Sequence, residues 1–147
     1  MAVAMDGEER IEASLMRVWE ALNDPDILKA CIPGCETLSM SSPTVMEATV
    51  VLKIGPIKAK FNGAVNLTNL NAPHSYTIIG EGKGGVAGFA KGGADVTLTA
   101  ETEAVTVLRY TARADVGGKM AQLGSRLIQS TSKKLAGQFF SDFAKKV

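Results

Sequence analysis

The chain has 147 residues, 46% apolar and 21% charged, which predicts one domain large enough to bury a core of its own, residues 1–147. A net charge of +1 with scattered bases, and only 5% aromatics, excludes a basic, base-stacking nucleic-acid groove. No run approaches the eighteen apolar residues that span a bilayer, and "MAVAMDGEER" lacks the basic and apolar regions of a secretory signal, so a cytoplasmic protein is expected.

Taken in chain order, "EERIEA" alternates weakly and predicts a first strand. Ser14 is placed to cap a short helix over "LMRVWEALN", where Met16 and Trp19, then Val18 and Leu22, recur at helical spacing. Asp24-Pro25 opens a second short helix, "PDILKA", with proline at its first position. "CIPGC" then holds the only two cysteines, Cys31 and Cys35. With one histidine in the chain, His74, they cannot complete a four-ligand zinc site, so no metal is expected. The expectation is two reduced thiols flanking the Pro33-Gly34 turn, with a redox pair as the alternative.

Long alternating strands come next. In "VMEATVVLKI", Met46, Ala48, Val50, Leu52 and Ile54 share one face; Glu47, Thr49 and Lys53 take the other. Gly55-Pro56 turns the chain into "IKAKFNGAVNL", where Ile57, Ala59, Phe61, Val65 and Leu67 alternate with lysines and asparagines. One buried and one wet face predict an antiparallel meander. After the "NLNAPHS" turn, further strands are expected from about Tyr76, Ala94 and Ala104.

"GEGKGGVAGFAKGG", residues 80 to 93, packs seven glycines into fourteen positions, and Gly80, Gly82 and Gly85 spell the dinucleotide fingerprint. That fingerprint needs a helix opening at its last glycine. Here the downstream residues are β-branched and strand-like, so the run reads as strand, loop, strand. Its hairpin, with Val86 and Phe89 as apolar contacts, is either a flap at a cavity mouth or a device for curving the sheet.

After Gly117-Gly118 one long amphipathic helix is predicted to about Lys146. Met120, Leu123, Leu127, Leu135, Phe139 and Phe143 form its apolar stripe, with Gln122, Arg126, Ser130, Lys133 and Lys134 opposite. The fold class is therefore α+β: an antiparallel sheet curled around a C-terminal helix, with two short helices after the first strand. A single helix seldom fills such a concavity, and the residual space is a candidate apolar pocket.

"VWEALNDPDILKACIPGCE", "KIGPIKAKFNGAVNL", "PHSYTIIGEGKGGVAGFAKGGADVTL" and "VGGKMAQLGSRLIQSTSKKLAGQFF" together resemble the G-subunit family of carbon monoxide dehydrogenase. This is a branch of the START and polyketide-cyclase-like helix-grip superfamily, and the resemblance runs from about Glu8 to Phe143. It implies about seven antiparallel strands gripping a long helix, with a ligand cavity between them. It also implies an accessory role beside a molybdenum-dependent dehydrogenase of the carbon monoxide dehydrogenase type, by recruiting that enzyme to the membrane or by carrying quinone. Many members continue past the helix into a linker and an apolar tail. Here the chain stops at "FFSDFAKKV", so any membrane contact is expected to be peripheral, at the inner face.

The chemistry points the same way. His74 follows a proline in a turn, Glu81 sits beside Lys83, and no Ser–His–Asp or Cys–His set assembles, so no catalytic residue and no cofactor are assigned. The expectation is an elongated apolar ligand, a quinone or lipid, bound without being transformed. Its walls are Phe61, Ile78, Leu98 and Tyr110 on the sheet, Phe89 on the glycine hairpin, and Met120, Leu123 and Leu127 on the helix. An adaptor that docks the dehydrogenase without any ligand is the alternative, through an acidic partner surface facing Lys53, Lys58 and Lys60. A cyclase-like enzyme, sensitive to His74 or Glu81, is the second alternative.

Overall fold

The computed structural model describes the whole chain, Met1–Val147. Seven strands form one antiparallel sheet: β1 (Ala2–Ile11), β2 (Cys35–Ser42), β3 (Val45–Ile54), β4 (Ile57–Asn71), β5 (Ser75–Lys83), β6 (Phe89–Thr102) and β7 (Val105–Gly117). Their order is β1-β7-β6-β5-β4-β3-β2. β2 to β7 are a simple meander, and β1 closes the far edge beside β7. Two short helices, α1 (Leu15–Leu22) and α2 (Pro25–Cys31), carry the chain from one edge of the sheet to the other. The long helix α3 (Ser125–Lys146) lies over the concave face. This is the helix-grip arrangement.

Local chemistry sets the helix starts. Ser14 and Asp24 are both extended; the Ser14 hydroxyl accepts from the Arg17 N–H at 3.2 Å and the Asp24 carboxylate from the Asp26 N–H at 2.9 Å. Replacing such a cap with alanine costs about 1 kcal/mol.

Three boundaries differ from expectation. β1 starts at Ala2 rather than near Glu8, because Val3 and Met5 already alternate inward against outward Ala4 and Asp6. Outward alanines blur that period in the sequence. β2 is absent from the sequence pattern: only Leu38 and Met40 mark its inner face, and two register shifts interrupt its pairing with β3. The third concerns the end of the chain. Gly118–Leu123 is a 3-10 turn, and the α-helix begins only after Gly124, whose φ of +90° and ψ of 151° break the spiral. Met120 and Leu123 therefore precede the helix on which they were expected.

The apolar interior is divided. The larger cluster holds Ile11, Val18, Leu22, Tyr76, Leu98 and Phe143 among others, under α1, α2 and the C-terminal half of α3. The smaller one holds Phe61, Ala87, Val116, Met120 and Ile128 at the opposite end. Between the clusters Gly80, Gly92, Ala94, Ala112 and Ala114 are only half-buried, so small side chains leave the middle of the concave face incompletely covered.

Candidate functional site

The antiparallel register turns the concave face into rows of side chains that run across the strands. At the smaller cluster's end, Val116 of β7 faces Ala90, then Gly82, Gly63 and Ala48 on successive strands. In the next row Ala114 faces Gly92, Gly80, Val65 and Met46. A third row runs Ala112, Ala94, Ile78 and Leu67. Alanine and glycine dominate the central strands of the first two, and in the third they remain only on β7 and β6. Larger side chains return in the row of Tyr110, Val96 and Tyr76 and in that of Leu108 and Leu98.

α3 mirrors this. Its two buried residues, Ile128 and Phe143, sit fifteen positions apart, about 22 Å along the axis. Between them Thr131, Ser132, Leu135 and Ala136 are only half-buried. Small residues on the helix thus face small residues on the sheet, and an apolar gap separates the two clusters. Where β1 and β7 meet α3 the gap opens as a cavity of about 120 Å³, lined by Val3, Met5, Ala112, Ala114, Gln129 and Ser132. The Gln129 side-chain amide donates to the Ala4 carbonyl at 3.0 Å and ties α3 to the free edge of β1. A larger hollow of about 530 Å³ on the convex face is lined by Thr37, Ser39, Glu47, Asn62, Glu81 and Lys83. Its lining is polar, so it does not suit an apolar ligand.

The residues expected at the ligand wall fall into three groups. Phe61 and Met120 pack together in the smaller cluster and form one end of the gap. Leu98 is in the larger cluster, with Ile78 and Tyr110 packed against it, and these form the other end. Leu127 lies over the β3–β4 turn, where a Cβ on Gly55 would meet its methyl group at 2.9 Å, and Leu123 lies half-buried in the 3-10 turn. Phe89 is 45% exposed and covers Gly117 at the start of β6.

The glycine run has two separable functions. A Cβ at Gly92 would fall against the Arg113 carbonyl and one at Gly93 against the Ile78 carbonyl, so β6 passes between its neighbours only without side chains there. A Cβ at Gly82 would meet nothing. The first two glycines permit curvature; the third leaves volume open. The hairpin tip is a single 3-10 turn, Gly85–Ala87, with Ala87 buried and Val86 84% exposed.

The titratable groups sort cleanly. His74 and Glu81 are exposed, and Glu81 is on the convex side within 3.8 Å of the Lys83 ammonium. Cys31 is buried and Cys35 half-buried, and they are free thiols. Burial pushes both thiols up; the Asp142 charge adds to this at Cys31, and Lys29 offsets part of it at Cys35. Such groups stay protonated and poorly nucleophilic. The Cys35 Sγ donates to the Thr37 carbonyl at 3.3 Å. Tyr76, 5% exposed and edge-on to Trp19, has its phenol held protonated by burial. Tyr110 stacks on Phe140 with ring centroids 5.6 Å apart; burial first, then the charges of Glu9 and Asp6, keep it protonated. Glu9 is a residue that the sequence pattern does not single out. The alternation Val3, Met5, Gly7, Glu9, Ile11 shows it facing inward only once the strand is known to start at Ala2.

No helix is long and apolar enough to cross a membrane.

A concave antiparallel sheet with an apolar gap beneath a C-terminal helix is a helix-grip fold, the fold shared by START and polyketide-cyclase-like proteins. The aromatase/cyclase ZhuI from Streptomyces sp. R1128 is similar with a TM-score of 0.72 over 99% of this chain and 93% of that one, at 8% identity. A START superfamily protein from Mycobacterium smegmatis matches with 0.68 over 98% and 99%, at 14% identity. A conserved protein from Geobacillus kaustophilus is nearer, with a TM-score of 0.92, 30% identity, and coverage of 98% and 94%. No curated protein sequence matches significantly. The profile of the carbon monoxide dehydrogenase G-subunit (CoxG) family matches residues 7–147, and the chain belongs to that family.

Proposed function

We propose that the protein is a non-catalytic accessory factor of a carbon monoxide dehydrogenase-type molybdenum enzyme, and that it holds an elongated apolar molecule, a quinone or lipid, between sheet and α3. One observation carries this reading: the band of glycine and alanine that crosses the sheet between two packed clusters, facing an equally small stretch of α3. A sheet that needed only a core would fill that band, since unfilled apolar volume costs stability. Phe61 and Met120 at one end, and Ile78, Leu98 and Tyr110 at the other, define the length of chain the gap accepts. Each Å² of apolar ligand surface buried there contributes roughly 25 cal/mol before the cost of association.

The family's description supplies the dehydrogenase as partner. Contact with the inner face of the membrane would give such a ligand its source. Native mass spectrometry of the purified protein, with organic extraction of whatever co-purifies, tests the reading. A bound quinone or lipid, and a raised melting temperature on adding one, are expected. Empty preparations with no thermal shift from added quinones would leave a ligand-free adaptor in its place. Turnover of a small substrate would instead favour the cyclase-like reading.

A further inference from the structure

In the rows of side chains that face α3 from the sheet, one is charged. Glu9 pairs across the ladder with Leu108, which faces Leu98 in turn, and both leucines are buried. Paired residues in an antiparallel ladder point to the same side, so the Glu9 carboxylate stands on the concave face at the β1 end of that row. Its neighbours in sequence do not share its position. Glu8 binds Arg109 at 2.9 Å and Arg10 binds Glu101 at 2.8 Å, both on the exposed convex side. The two nearby guanidiniums are thereby engaged, and Glu9 forms no ion pair.

The next row toward the gap holds Gly7 opposite Tyr110. A side chain at Gly7 would strike the Tyr110 ring and hydroxyl, so the phenol leans over β1 in space that glycine leaves free. Phe140 holds the other face of that ring. A carboxylate that can only accept and a phenol that can donate therefore lie in adjacent rows, beside a gap whose other inward-facing sheet residues are apolar and whose polar lining groups on α3 are Gln129, already bound to the Ala4 carbonyl, and Ser132.

We propose that Glu9 and Tyr110 form a polar clasp at the β1 end of the gap, which takes the hydroxyl of an otherwise apolar ligand. Glu9 accepts the ligand's O–H, and the Tyr110 hydroxyl donates to the same oxygen. The inference rests on the ligand-binding reading above and narrows it. A carboxylate repels a carbonyl or ether oxygen brought to the same place, so the clasp selects alcohols, phenols and the reduced, hydroxyl-bearing form of a quinone over its oxidised form. A hydrogen bond to a charged group is the stronger kind, which makes the preference about tenfold or more in affinity.

The test uses the full-length protein stripped of co-purifying material, with 4-nonylphenol and its methyl ether as probes and calorimetry as the readout. Wild type should bind the phenol about tenfold more tightly than the ether. Glu9→Leu should abolish the difference while keeping ether binding. The near-isosteric Glu9→Gln, which cannot disturb the fold by size, should keep only part of it, and Tyr110→Phe should weaken the phenol alone. Equal binding of both probes by wild type, or a preference that survives Glu9→Leu, overturns the clasp and leaves the cavity standing. Binding of neither probe by wild type overturns the cavity reading, and the clasp falls with it.

Discussion

Single glycines in this protein serve different physical ends, and the difference can be measured. Gly82 faces open space, so Gly82→Val adds a β-branched strand residue where nothing obstructs it. Its melting temperature should match or exceed that of wild type, while affinity for an apolar ligand should fall several-fold, because the valine occupies the gap. Gly92→Val puts its side chain into the backbone of β7 and should destabilise the fold by more than about 2 kcal/mol in urea titration. Equal behaviour of the two variants would mean that the glycine run has one function rather than two. The exposed His74 and Glu81 lie outside the gap, and their substitution should leave ligand binding unchanged.

Among elements, α3 is the one whose beginning matters most. The apolar spacing from Met120 to Phe143 suggests one unbroken helix, because a 3-10 turn and an α-helix present nearly the same apolar interval over a single turn. Gly124 separates them. Its backbone angles are open almost only to glycine, although a Cβ there would touch nothing. Glycine is required there by backbone conformation, not by close packing of helix on sheet. Gly124→Ala should cost about 1–3 kcal/mol by chemical denaturation, as much as a bulkier substituent at that site. An alanine variant as stable as wild type would show that the break in the chain is dispensable. That break lets Met120 turn into the smaller cluster, at 3% exposure, while α3 departs toward the larger one.

At the scale of the whole molecule, the convex face and the hairpin tips remain for partners. Lys53 and Lys58 stand directly opposite each other beside the Gly55-Pro56 turn, both exposed, whereas Lys60 is within 3.3 Å of the Glu36 carboxylate. If the molybdenum dehydrogenase docks through an acidic surface here, the pair Lys53→Glu and Lys58→Glu should weaken binding several-fold at low salt. Lys60→Glu should do less, and the differences should shrink as ionic strength rises. Pull-down of the enzyme with undiminished recovery by the double variant would remove this face from the docking surface.

The residues by themselves determined the class of fold, because its signals are local. Period-two alternation in "IKAKFNGAVNL", capping by Ser14 and Asp24, and a 3.6-residue stripe ending in Phe143 each need only a few neighbours to be read. The failure of the dinucleotide fingerprint was equally legible, since no α-helix opens at Gly85. Element ends were less so: β2 offers two apolar residues and bulged pairing, and the outward alanines of β1 hide its first six positions. The site was decided by the tertiary structure. Whether a glycine relieves a clash or leaves a space depends on which backbone crosses it, and Gly82 and Gly92 look alike in sequence. Glu9 is one acidic residue among "DGEERIE" until the ladder sets it beside Leu108, across from Tyr110's row, because strand register brings together residues about a hundred positions apart.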